Sequence, residues 1–101
     1  MMIKENIELS KEIKKKLKVI SVEQENTMRD LVLFEAAEII GWDLDVEETE
    51  REPKESRTGL LINIPQESKD DIRLFCRYKE VKIRDFWNQA VSNVLNRYKG
   101  G

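Results

Sequence analysis

KENIELSKEI (residues 4–13) and GLLINIPQES (residues 59–68) each alternate apolar and polar residues for a few positions, then break at Ser10 or Pro65 into charged, helix-like sequence. Alternation of period two marks a strand with one buried face. The two stretches belong to a longer correspondence. Slid against itself by 55 positions without a gap, the chain sets Ile7 on Ile62, Leu9 on Ile64, Leu17 on Ile72, Val19 on Leu74 and Ile20 on Phe75. Further on, Met28 meets Ile83, Leu31 meets Phe86, Val32 meets Trp87, Ala36 meets Val91, Ile39 meets Val94 and Ile40 meets Leu95. Charged positions coincide as well: Glu12 with Glu67, Lys14 with Lys69, Glu25 with Glu80, and Arg29-Asp30 with Arg84-Asp85. A shared strand, break and Arg-Asp pair at one offset reads as an internal repeat.

Each copy reads as a strand and two helices. Ser10 suits the N-cap of a first helix whose Ile13, Leu17 and Ile20 form one stripe. In the second copy Pro65 ends the strand, and Ile72, Phe75 and Cys76 supply that stripe. After a break around residues 25–27, Thr27 is placed to cap a second helix rich in Leu31, Val32, Phe34, Ile39 and Ile40, with Gly41 as its stop. The second copy breaks near Val81-Lys82 and continues through Phe86, Trp87, Val91, Val94 and Leu95 toward Gly100-Gly101. One strand cannot satisfy its backbone alone, and one copy buries too little apolar surface to offset chain entropy. The expected fold is mainly α with a short antiparallel β-ribbon, in the order β-α-α-β-α-α. Residues 1–41 form the first repeat, residues 42–58 an acidic linker and residues 59–101 the second repeat.

Composition narrows the chemistry. The 101 residues include 38% charged side chains, no histidine and a single cysteine. No intrachain disulfide is possible, and the common zinc sites and the usual neutral-pH general base are missing. Cys76 sits at an apolar helical position and reads as a small core residue rather than a nucleophile. Neither a glycine-rich phosphate loop, a nucleophile elbow nor a set of paired metal ligands is present. A non-enzymatic protein without cofactor or metal, and without an evident small-molecule substrate, is expected. No apolar run approaches bilayer length and the Met-Met-Ile-Lys start lacks a signal-peptide core, so the expectation is a cytoplasmic protein without a membrane partner.

The formal net charge is −2, yet it is unevenly spread. Residues 42–58 hold seven acids against three bases, a net −4, which leaves +2 for the remainder. The plain reading of that segment is a connector; an acidic competitor for the ribbon and a docking segment are the alternatives.

The phrases IELSKEIKKKLKVISVEQENTMRDLV (residues 7–32) and INIPQESKDDIRLFCRYKEVKIRDFW (residues 62–87) resemble the ribbon–helix–helix family, the Arc and MetJ class of DNA-binding repressors. The second match is looser, with Ser68 at an apolar position and Lys82 where a small cap is usual. Family members dimerise; this chain resembles a tandem pseudo-dimer of the kind found in TraY-type proteins of conjugative plasmids. The resemblance implies double-stranded DNA as partner, with the paired strands entering the major groove and self-association on repeated half-sites. It implies a transcriptional repressor or an accessory factor at a plasmid or phage site.

By the same resemblance Lys4, Asn6 and Glu8 on the first strand, and Gly59, Leu61 and Asn63 on the second, face the bases. Asn suits adenine, Lys suits guanine, Glu can accept from cytosine, and Leu61 can touch a thymine methyl. The N-termini of the second helices would clamp phosphates, at Thr27, Met28 and Arg29 and at Lys82, Ile83 and Arg84. Glu8 opposes attraction to DNA, and Glu5 occupies an inner-face position suited to an apolar residue. These two and Leu61 favour a different class of function, a protein-interaction module that has lost DNA readout. Bland readings stand beside the sharp ones: Lys14, Lys15, Lys16 and Lys18 as a solvated face, Trp87 as core, Trp42 as a cover over a helix end, and Asn6 and Asn63 as ordinary solvent-facing strand residues.

Overall fold

Alternation in the first eight residues produces β1 (Met2–Glu8), whose Ile7 is buried while Lys4, Asn6 and Glu8 are exposed. Its antiparallel partner is β3 (Gly59–Pro65), with Leu60, Ile62 and Ile64 buried. The register pairs Lys4 with Asn63, Asn6 with Leu61 and Glu8 with Gly59. Asn6 and Leu61 are also equivalent under the 55-residue offset, so the ribbon is centred on a pair of corresponding positions. The computed structural model describes residues 2–41 and 59–98 and the backbone of residues 54–56.

Four helices follow from capping and apolar spacing. In α1 (Lys11–Gln24) the Ser10 hydroxyl accepts from the Ile13 amide at 3.2 Å, and Leu17 and Ile20 face inward. Such a cap contributes roughly 1 kcal/mol. The helix ends at Glu25 in the left-handed region, φ 56°, with the Asn26 amide donating to the Ser21 carbonyl at 3.0 Å. That closure leaves the chain turned toward α2 (Met28–Ile40), where Thr27 Oγ1 accepts from the Asp30 amide at 3.1 Å. Gly41 stops α2 at φ 92°, a conformation that a side chain at this position would resist.

The second half uses the same punctuation. α3 (Gln66–Lys79) ends at Glu80, also at φ 56°, and the Val81 amide donates to the Cys76 carbonyl at 2.9 Å. α4 (Ile83–Arg97) follows three residues after α3. Neither Pro65 nor Lys82 offers a side-chain cap, so the second half lacks the hydroxyls that begin helices in the first.

α2 and α4 form the centre. Leu31, Val32, Leu33 and Ala36 of α2 meet Phe86, Ala90, Val91 and Val94 of α4 in one buried cluster, which the inward residues of the ribbon close. Phe86 stacks edge-on against both Phe75 (5.8 Å) and Trp87 (5.4 Å). The halves interleave: α1 packs on α4 as well as on α2, and α4 packs on β1. Phe34 departs from the expected apolar face and is exposed.

Several polar residues enter this interior. Glu5, on the inner face of β1, forms a charge-assisted hydrogen bond with Lys69 of α3, both side chains being nearly buried. Ser68, where an apolar residue was expected, is fully buried. Glu35, in the middle of α2, is buried and accepts from Arg97 at the end of α4, tying the two central helices together.

One expectation needs correcting. Within the segment read as an acidic linker, residues 54–56 form a short strand, β2 (Lys54–Ser56), pairing antiparallel with β3 through Lys54–Leu61, Glu55–Leu60 and Ser56–Gly59. The sheet therefore has three strands, in the order β1-β3-β2. β3 is flanked on both sides, and its outer backbone groups gain the partners that an edge strand lacks. The rest of the acidic segment, with Trp42, lies outside the described residues. Among those described, no helix is long and apolar enough to cross a membrane.

Candidate nucleic-acid interface

The pleat of the ribbon separates its side chains into two sets. Ile7, Leu60, Ile62 and Ile64 point to the helices; Lys4, Asn6, Glu8 and Asn63 are exposed on the other face, and Leu61 is half-buried. The register makes Lys4 and Asn63 direct cross-strand neighbours, next to the Asn6–Leu61 pair. This surface offers an ammonium, two amides and one apolar side chain within two rungs of a ladder. It can donate to and accept from base edges, and its carboxylate, Glu8, stands at the end nearest Gly59.

Gly59 does not join that surface. It is buried, and a Cβ there would lie 1.9 Å from the Ile7 carbonyl oxygen. The backbone of β1 occupies the space a side chain would need, so glycine is required for strand approach. Lys14 of α1 reaches the same end, its Nζ donating to the Gly59 carbonyl at 3.3 Å.

The two helix starts differ despite their shared Arg-Asp. At α2, Met28 is buried in the core and Arg29 is 1% exposed. The Arg29 guanidinium donates through Nε to the Asn63 carbonyl at 2.5 Å, and through Nη1 to Asp30 Oδ1 at 2.8 Å. Arg29 was expected at a phosphate; instead its fork braces β3 from beneath. Thr27 is half-buried with its hydroxyl engaged in the cap, which leaves the first-turn backbone amides as the donors of this helix start. At α4, by contrast, Lys82 and Arg84 are exposed and Ile83 is half-buried.

Arg84 and Ile83 share a cleft of about 110 Å³ with Glu5, Asn6, Ile7, Glu8 and Trp87. This cleft brings the α4 start beside the outer residues of β1, joining two groups that are far apart in the chain. Trp87, read as core, is buried and also lines the cleft; its indole N–H has no hydrogen-bond partner among the described residues. Nothing in its spacing distinguishes it from an ordinary core aromatic, because it matches Val32 in the repeat.

Cys76 is buried, and burial pushes its thiol above the ordinary range, with Lys69 acting in the other direction. A thiol held protonated is a poor nucleophile. Among the described residues no group of three His, Cys, Asp or Glu side chains could hold a metal ion. Comparisons with protein-family models, curated proteins and solved structures gave no match to this chain.

Proposed function

We propose that the chain is a sequence-specific double-stranded DNA-binding protein, built from two tandem ribbon–helix–helix halves folded as one pseudo-dimeric domain. It acts as a transcriptional repressor or as an accessory factor at a plasmid or phage DNA site. The observation that carries this reading is the outer face of the β1–β3 ribbon, where Lys4, Asn6 and Asn63 stand exposed around a centre of corresponding positions. A two-stranded ribbon fits a major groove about 12 Å wide, and these side chains match base-edge donors and acceptors. Lys82, Arg84 and the first-turn amides of α2 and α4 would hold the flanking backbone.

β2 supports a second reading, a protein-interaction module. An added strand at the edge of β3 is how sheets take up peptide segments, and it widens the ribbon at its Gly59 end by about 4.8 Å. The two readings part on salt. Three exposed cations, Lys4, Lys82 and Arg84, imply release of about three counterions. Affinity for a mixed-sequence duplex should then fall about 40-fold between 50 and 200 mM salt. Fluorescence anisotropy checks this; absence of binding at the lower salt, or binding indifferent to salt, favours the interaction module.

A further inference from the structure

The 55-residue correspondence preserves apolar positions but inverts charge on one face. Lys15 and Lys16 of α1 correspond to Asp70 and Asp71 of α3, while the apolar residue one turn on is kept as Val19 and Leu74. Both apolar residues are exposed, Val19 at 55% and Leu74 at 63%, and Tyr78 extends the α3 stripe at 82% exposure. Asp70, Leu74 and Tyr78 are spaced at i, i+4 and i+8, so they lie along one face of the helix. Beside Val19, the C-terminal end of α4 leaves a groove of about 680 Å³ lined by Lys15, Lys16, Val19, Ile20, Leu95 and Tyr98. The floor is apolar, and the rim carries Lys15 and Lys16 with Glu23 two turns further along α1.

We propose that the chain assembles head to tail, with the α1–α4 groove of one copy receiving Leu74 and Tyr78 from α3 of the next. The occupant is a second copy because the two faces complement one another in both respects. With α1 and α3 side by side in the same direction, Lys15 and Lys16 meet Asp70 and Asp71, Val19 meets Leu74, and Glu23 meets Tyr78. Pairing like faces in that same direction instead sets lysine against lysine or aspartate against aspartate, which charge repulsion disfavours. A heterologous contact of this kind leaves one α1 face and one α3 face free at the ends, so it propagates beyond a dimer. Existing contacts among the described residues leave it open: Lys16 holds an exposed pair with Glu12 at 3.6 Å, and Asp70 accepts from Gln66 of its own helix at 3.1 Å.

The contact stands apart from the DNA reading and is tested without DNA, by sedimentation of the full chain at about 10 to 500 µM, the range of weak protein contacts. Wild-type mass should rise above the 11.9 kDa monomer with concentration and fall back at high salt. Lys15→Asp/Lys16→Asp and Asp70→Lys/Asp71→Lys should each remain monomeric, since both faces then carry one sign. An equimolar mixture of the two should associate again, as should a chain carrying all four changes. Circular dichroism confirms that each variant keeps its helices. A wild type that stays monomeric throughout overturns the proposal, as does either double variant associating like wild type or a mixture that fails to recover.

Discussion

Replacing Glu5 by alanine is expected to lower the unfolding free energy by about 4 kcal/mol, because Lys69 is then left buried without its counter-charge. The Lys69 side chain is only 8% exposed and Glu5 12%, so water cannot take over the lost partner. The loss is a large part of the 5–15 kcal/mol that holds a domain of this size together, roughly. The pair itself contributes far less than its rupture costs, since both charges were desolvated to form it. Glu5→Leu/Lys69→Met should therefore lie within about 1 kcal/mol of wild type. The correspondence between Glu5 and Leu60 argues that the inner face can take leucine at this position. Urea denaturation of the three proteins checks both values. A Glu5→Ala loss below about 1 kcal/mol would mean that Lys69 reaches solvent when unpaired.

Arg29→Ala is the second large effect, a loss of about 3 kcal/mol, from an emptied core volume and an unsatisfied Asn63 carbonyl. Arg29→Lys should recover little of it, because a single ammonium cannot reproduce a fork directed at both Asn63 and Asp30. Arg84→Ala, at the corresponding exposed position, should change stability by less than about 0.5 kcal/mol. It should weaken DNA binding instead. Thermal denaturation and duplex titration of the three variants separate brace from clamp. Equal stability of the Arg29 and Arg84 variants would contradict the division of roles.

The contrast between these arginines marks how far the residues could be read unaided. The strands β1 and β3, the four helices, the caps at Ser10 and Thr27 and the stop at Gly41 were legible because each follows from local pattern and short-range hydrogen bonding. The outward set Lys4, Asn6, Glu8 and Asn63 followed from the same alternation. Arg29 could not be separated from Arg84, since both follow a break and precede an aspartate. Which one turns inward depends on the opposite strand's carbonyl. Glu5 looked misplaced on an inner face because its partner lies 64 residues away. Lys54, Glu55 and Ser56 carry no apolar alternation at all; their strand exists through backbone pairing with β3, which composition does not report. Gly59 lay on the expected outer set by parity, but the close approach of β1 decides its surroundings.

The measurement that bears most directly on the ribbon as a reader of sequence is selection from a random duplex pool, comparing wild type with Asn6→Ala/Asn63→Ala. Each good amide–adenine contact is worth about 1–3 kcal/mol of discrimination. Wild type should enrich a short, asymmetric motif, and the double variant should lose the preference at two positions while keeping its helices and its salt-sensitive background binding. An identical motif from both proteins, or none from wild type at low salt, would contradict the account.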